Sequence, residues 1–134
     1  MKKLLLFTIL IIATNAYCQE SNSSTQTKVE ANKVYDTADR IAVYPGGIEA
    51  FRRNFYQTFD GGKINGKGRV TSEAMFVIDQ NGLITEIVTK GDNKSMNKEM
   101  ERAIKAMSKT KWSPATIDGE PVKYRFRFPI AMNL

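Results

Sequence analysis

Carboxylates are the groups of this chain best suited to acid–base chemistry, because the sequence contains no histidine and one cysteine, Cys18. Serine–histidine and cysteine–histidine catalysis are therefore excluded, and so are the usual zinc and iron sites. Glu73 and Glu86 fall on neighbouring predicted strands and could pair across a hairpin, as general acid–base catalysis requires. Exposed cross-strand carboxylates more often contact only water. We therefore predict a protein that is not an enzyme, with no catalytic residues, no metal site and no cofactor.

The N-terminus has the three regions of a secretory signal peptide. Two lysines give a positive start, Leu4–Ala13 is apolar except for one threonine, and small or polar residues lead to Cys18. The apolar run is about half of the roughly 20 residues that a membrane-spanning helix needs. We predict that residues 1–18 are a signal peptide, cleaved near Cys18/Gln19, and that the mature protein is periplasmic. A lipid anchor on Cys18 is the alternative, which Tyr17 disfavours because lipoprotein signals have a small residue there.

Removal of the signal peptide leaves 116 of the 134 residues, which is enough for one domain but not for two. The mature chain carries 18 basic and 14 acidic residues, without clustered basic runs. This small excess gives solubility and a mild preference for acidic partners, and it predicts no nucleic-acid partner. The mature chain would also have no cysteine, so burial of the core must stabilise it without disulfides.

The mature chain divides into a polar lead-in and a domain. Residues 19–33 are rich in serine, threonine, asparagine and glutamine, a composition typical of disorder. Residues 34–43 alternate loosely between apolar and polar types. We predict a disordered or extended lead-in over residues 19–42 and a folded domain over residues 43–134.

Two amphipathic helices are predicted from apolar residues at helical spacing. The first follows Pro45-Gly46-Gly47 and places Ile48, Phe51, Phe55 and Phe59 on one face. The second covers about residues 95–108. Its predicted buried stripe consists of Met96, Met100, Ala103, Ile104 and Met107, with Glu99, Glu101, Arg102 and Lys105 placed away from it.

Three strands are predicted around these helices. Val70–Ile78 and Leu83–Thr89 flank Asn81-Gly82, a strong hairpin signal. In the last strand, Val122–Ile130, apolar residues alternate with lysine and arginine, and Pro129 suits an edge or a bulge. The predicted fold is α+β, a small antiparallel three-stranded sheet with two helices packed on one face, in the order α-β-β-α-β.

Short motifs in the second half of the chain resemble a known family. Phe76-Val77-Ile78-Asp79 and Asn81-Gly82-Leu83-Ile84 precede the second helix, and Lys111-Trp112-Ser113-Pro114-Ala115, Gly119-Glu120-Pro121-Val122 and Phe128-Pro129-Ile130 follow it. In this order they resemble the C-terminal domain of TonB energy transducers. Tyr44-Pro45-Gly46-Gly47 is similar to the lead-in of one branch of that family. The residues assigned to fixing the fold are Pro45, Gly46, Gly47, Gly82, Trp112, Pro114, Gly119, Pro121 and Pro129.

The resemblance implies a partner-binding module. Domains of this family bind an extended segment near the N-terminus of TonB-dependent outer-membrane transporters, which adds as a strand beside the last strand of the sheet. Backbone hydrogen bonds give affinity in such a mode. The chain lacks the membrane anchor and proline-rich span of a full transducer, which implies a stand-alone accessory to energy-coupled uptake. The partner-binding residues implied are Val122, Lys123, Tyr124, Arg125, Phe126, Arg127, Phe128 and Tyr56, which corresponds to a tyrosine that the family has after its first helix.

Three alternatives remain open at this point. Small sheets with an open edge pair with themselves, so a dimeric structural protein is one of them. A cell-wall module that binds peptidoglycan is the second, and an inhibitor that binds sheet edges is the third. The charged row at Lys123, Arg125 and Arg127 fits either an acidic partner or a solvated face that discourages aggregation.

Overall fold

The computed structural model describes residues 28–134. The predicted signal peptide and residues 19–27 of the predicted lead-in lie outside these residues. The two helices are α1 (Gly47–Thr58) and α2 (Lys94–Met107), with a 3-10 turn at Gly61–Lys63. The strands are β1 (Val34–Tyr35), β2 (Arg69–Ile78), β3 (Ile84–Lys90), β4 (Ala115–Ile117) and β5 (Glu120–Asn133).

The fold is α+β, as predicted, but the sheet has five strands and is mixed. Its order is β1-β5-β2-β3, and β4 also pairs with β5. The pairs β2–β3, β2–β5 and β4–β5 are antiparallel, whereas β1 runs parallel to β5. The prediction of three antiparallel strands is therefore not confirmed in detail. It missed β1 and β4, which have two and three residues, because strands this short depend on their pairing partner and leave little periodicity in the sequence.

Both helices begin at sequence features that fix the backbone. The amide of Gly47 donates to the carbonyl of Tyr44 at 2.7 Å, and Gly46 has a φ of 84°. Proline followed by such a glycine is typical of a type II turn, and this turn leads into α1. At the start of α2, the Asn93 side chain accepts the amide of Met96 at 2.9 Å, which satisfies one of the free donors of the first turn.

The core lies between the helices and one face of the sheet. Phe51 of α1 is fully buried, with its ring centroid 6.1 Å from Phe76 of β2 and 4.9 Å from Phe128 of β5. The predicted buried stripe of α2 is confirmed, since all five of its residues are buried. Trp112 follows α2, is buried, and packs edge-on against Tyr44. The helices thus cover one face of the sheet, and aromatic rings fill much of the space between.

Glu99 was predicted to lie away from the buried stripe of α2, and this prediction was wrong. Only 3% of its side chain is exposed. It accepts a hydrogen bond from Nε of Arg102 at 2.8 Å and another from the amide of Asp60 at 2.8 Å. Arg102 in turn donates to the carbonyl of Thr58 at 2.7 Å. A carboxylate can be buried here because a cation and a backbone amide replace its water.

The β2–β3 loop is attached to the chain that follows α2. The amide of Trp112 donates to the carbonyl of Gly82 at 2.8 Å. Gly82 has a φ of 81°, and a Cβ built there would lie 1.9 Å from the Trp112 carbonyl oxygen. The side chain of Asp79 also accepts the amide of Leu83 within the loop at 2.9 Å. Gly82 therefore permits both the turn and the close approach of Trp112.

Candidate functional site

The outer side of β5, opposite β2, is only partly occupied. Val122 lies opposite Ala115 of β4. Lys123 and Tyr124 lie opposite the two residues of β1. Three of the residues predicted to bind a partner, Val122, Lys123 and Tyr124, are therefore already paired with β4 or β1 of the same chain.

Beyond Tyr124 the outer side of β5 is open. Among residues 28–134 no strand is paired with that side from Arg125 to Asn133. β2 pairs with the opposite side along this whole stretch, without a break in register. Nine residues of β5 are thus kept extended by pairing with β2 on one side and, within the described chain, have no paired strand on the other. We call residues 125–133 the open edge.

The direction of the backbone groups along the open edge follows from one residue pair. Leu134 and Gly68 exchange amide–carbonyl bonds at 2.9 and 3.4 Å, so they are a hydrogen-bonded antiparallel pair. Such pairs alternate with non-bonded ones. Even-numbered residues of β5 therefore direct their backbone groups at β2, and odd-numbered residues direct theirs outward. The outward groups include those of Arg127, Pro129 and Ala131.

Pro129 lies opposite Glu73 of β2 in this register, at one of the non-bonded pairs. The missing N–H of Pro129 therefore removes no hydrogen bond between β5 and β2. The same geometry leaves a gap in the outward row of donors, between the amides of Arg127 and Ala131. A residue without an N–H is tolerated here because the outer side of β5 is open.

An apolar groove of about 640 Å³ runs beside the open edge, on the side of the sheet that faces the helices. One wall is the chain segment 41–44, and the other is the outward side of α1. The floor comes from Trp112 and from β5. Its lining residues are Ile41, Ala42, Val43, Tyr44, Ile48, Arg52, Tyr56, Trp112 and Phe126–Ile130.

The groove exposes several large apolar side chains. Val43 is 47% exposed, Ile48 is 40% exposed and Tyr56 is 59% exposed. The wall at 41–44 is fixed by a reciprocal pair of backbone hydrogen bonds between Val43 and Ser113, at 2.9 and 2.8 Å. The turn at Tyr44–Gly47 then directs the chain into α1. Pro45-Gly46-Gly47 thus joins the two walls of the groove.

The arginines near the open edge are paired with acidic residues of the same chain. Arg125 binds Asp36, which follows β1, at 2.8 Å. Arg127 lies 4.0 Å from Asp36 and 3.6 Å from Glu73. The positive charge expected to face an acidic partner is therefore largely balanced within the chain. Arg52, on the groove wall, is likewise bound to Glu49 at 2.9 Å.

The two carboxylates considered for acid–base chemistry do not face each other. Glu73 lies opposite Lys90, and its side chain is near Arg127. Glu86 lies where the register of β2 and β3 shifts, and its φ is 51°. This conformation and the unpaired position are typical of a β-bulge. Among residues 28–134 no cluster of three or more potential metal ligands is present.

Some of the residues that the sequence assigned to partner binding line the groove, and other groove residues were not assigned. Four of the predicted binding residues line the groove: Tyr56, Phe126, Arg127 and Phe128. Ile41, Val43 and Ile48 were missed as groove residues. A signal did exist: Ala42 and Tyr44 are buried and alternate with the exposed Ile41 and Val43, so both faces of this segment are apolar. The position of Asp36 carried no such signal, because it depends on the parallel pairing of β1.

Trp112 contributes the one buried side-chain polar atom without a hydrogen-bond partner in the described part of the chain, its Nε1. Its ring lies 5.2 Å from those of Tyr44, Phe51 and Phe126. Among the other residues assigned to the fold, Pro114 directly precedes β4, and Gly119 and Pro121 lie at the turn from β4 to β5. Asp118 and Gly119 both have positive φ and join β4 to β5, while Pro121 pairs with Thr116.

Comparison of the chain with protein-family models, with curated proteins and with solved structures found no match in any of the three. Over residues 28–134, neither helix has the length and apolar character needed to cross a bilayer.

Proposed function

We propose that this protein is a periplasmic binding module similar to the C-terminal domain of TonB, which binds an extended segment of TonB-dependent outer-membrane transporters by strand addition. The motif series from Asn81-Gly82 to Phe128-Pro129-Ile130 supports the family. The antiparallel strands β3, β2 and β5, covered by two helices, are compatible with it. The protein acts as an accessory to energy-coupled uptake.

The observation that carries this proposal is the open edge. Unpaired backbone N–H and C=O groups of a strand are strong hydrogen-bonding groups and a template for another strand. Addition of an extended segment satisfies these groups with little demand on its side chains. The docking residues are those from Arg125 onward, because β1 already occupies the outer side at Lys123 and Tyr124, and Val122 is paired with β4.

Site-specific photo-crosslinking in living cells tests the proposal. A crosslinking amino acid at Ala131, which is exposed on the open edge, is expected to attach to the N-terminal segment of an outer-membrane transporter. The attached peptide is identified by mass spectrometry. The matched control carries the crosslinker at Val88, which is exposed on β3 at the opposite edge of the sheet.

Three outcomes contradict the proposal. Crosslinks from Ala131 only to a second copy of the chain would favour the dimeric structural protein. Crosslinks only to peptidoglycan would favour the cell-wall module, and equal transporter yields from Ala131 and Val88 would indicate contact without docking. The expected location is checked separately by the intact mass of the periplasmic protein, which should correspond to a chain that begins at Gln19.

A further inference from the structure

We infer that the groove selects an extended segment with apolar side chains at alternate positions, and that it does not select acidic ones. This inference rests on the proposed function, because it specifies the side chains of the segment that adds to β5. Three features carry it: the direction of side chains at the open edge, the apolar lining, and the internal pairing of the arginines.

The register of β5 decides which side chains of a docked strand enter the groove. Phe126, Phe128 and Ile130 point their side chains to the face that the helices cover, and they line the groove. Side chains that lie opposite one another on adjacent strands share a face. Residues i, i+2 and i+4 of the added strand, about 14 Å from first to last, therefore project into the groove.

The groove offers these three side chains an apolar environment. Val43 and Ile48 are exposed on facing walls, and Tyr56 extends the second wall. Removal of such surface from water is favourable for an apolar side chain. A carboxylate in the same place would lose water without gaining a free cation, because Arg52 is bound to Glu49.

Acidic side chains of a docked strand would also gain little binding energy on the face of the sheet that the helices do not cover. The other side chains of a docked strand would lie beside Arg125 and Arg127. Asp36 binds Arg125 at 2.8 Å and lies 4.0 Å from Arg127, which is also 3.6 Å from Glu73. These pairs balance the local charge, so the contribution of ionic attraction to binding is small and the affinity depends weakly on salt.

An extended polypeptide fits this site better than the other kinds of occupant. The outward N–H and C=O groups of Arg127 and Ala131 and the carbonyl of Pro129 need partners at strand spacing. A helix satisfies its own backbone groups, and a small apolar molecule has none to offer. Either would cover the groove and leave the open edge unpaired, which is unfavourable for buried backbone groups.

Synthetic peptides test the inference on the mature chain, with fluorescence anisotropy as the measurement. The probe is a labelled nine-residue peptide with blocked ends that alternates valine and serine, and its counterpart has glutamate in place of each valine. We expect the valine peptide to bind about tenfold more tightly, since three apolar side chains leave water. Its affinity should change less than about twofold between 50 and 300 mM NaCl.

Matched variants locate the effect in the groove. Val43→Thr keeps the size and the backbone bonds to Ser113 but places a hydroxyl on the wall, and should weaken the valine peptide about threefold or more. Val88→Thr makes the same change at an exposed valine of β3 and should have no effect. Asp36→Asn should improve binding of the glutamate peptide and make it salt-dependent, because Arg125 loses its carboxylate.

The failures of this inference and of strand addition can be distinguished. Equal binding of both peptides, or an unchanged affinity in Val43→Thr, would overturn the groove selectivity and leave strand addition standing. A valine peptide with N-methylated backbone tests strand addition itself, since it cannot donate to the open edge. Binding of that peptide as tightly as its parent would overturn both, and so would the absence of binding by every peptide.

Discussion

Gly82 shows how one residue can connect two parts of the fold. Its missing side chain leaves room for the Trp112 carbonyl oxygen, and its own carbonyl accepts the Trp112 amide. Gly82→Ala combines a left-handed backbone conformation with a severe clash, so we expect a loss of about 3 kcal/mol or more in the free energy of unfolding. Urea denaturation measures this loss.

Gly119→Ala is the control for this substitution. Gly119 has a similar φ of 78°, but a Cβ built there has nothing within 4 Å. Only the conformational cost of about 1 kcal/mol remains. Equal losses of unfolding free energy in the two variants would show that the contact with Trp112 does not restrict which side chain position 82 can carry.

Glu99 is expected to make stability depend on pH. The hydrogen bond from Arg102 lowers the pKa of its carboxyl group; burial opposes this, and the Asp60 amide adds to it. A lowered folded-state pKa stabilises the protein above the unfolded pKa of about 4.3, and this stabilisation is lost as the pH falls through the folded value. Glu99→Gln should therefore cost about 2 kcal/mol at pH 7, and the difference from the parent should shrink towards pH 3.

Glu101→Gln provides the comparison for Glu99, because Glu101 is bound to Lys105 at 2.7 Å on the exposed side of the same helix. An exposed pair of this kind contributes about 0.5 kcal/mol or less. Chemical denaturation at pH 3, 5 and 7 would measure both variants. A pH-independent difference for Glu99→Gln would contradict an ionised carboxylate at that position.

At the scale of elements, Asn93 joins the start of α2 to the loop before β2. Its Oδ1 accepts the Met96 amide at 2.9 Å, and its Nδ2 donates to the carbonyl of Asn65 at 2.7 Å. Asn93→Ala should lower the free energy of unfolding by about 1 to 2 kcal/mol through loss of the cap. Asn93→Asp keeps the acceptor and places a negative charge at the helix N-terminus, so it should lose less.

Thermal unfolding followed by circular dichroism separates the two roles of Asn93. An aspartate variant as unstable as the alanine variant would assign the effect to the Asn65 contact and not to the cap.

Elements with strong internal periodicity were predictable from the sequence, and elements that depend on a distant partner were not. The four-residue spacings of α2 and the Asn-Gly loop between β2 and β3 are local signals. β1 and β4 exist as strands because β5 lies beside them, and nothing within two or three residues encodes that. Glu99 was misplaced for the same reason, since its burial requires the distant amide of Asp60.

At the scale of the whole molecule, the last strand was predicted to be the candidate site, but the length of its edge that other strands leave open was not predicted. β5 extends over fourteen residues, and its outer side is shared by β1 and the open edge. The groove arises from segment 41–44, α1 and β5, which are up to about 90 positions apart in the sequence. Periodicity describes one element at a time, so it does not predict a surface assembled from three.

Pro129 has a consequence for how many copies of this protein can associate. A second copy that added its opposite edge strand, β3, to the open edge of the first would meet a missing donor in the middle of the contact, and so would every further copy added in the same way. Continued extension of the sheet by further copies is therefore unfavourable, whereas the open edge can still bind one short peptide strand. Pro129→Ala should restore an unbroken row of amides and shorten the lag before thioflavin-positive fibres appear in concentrated solution; an unchanged lag would show that something other than this proline keeps the chains apart.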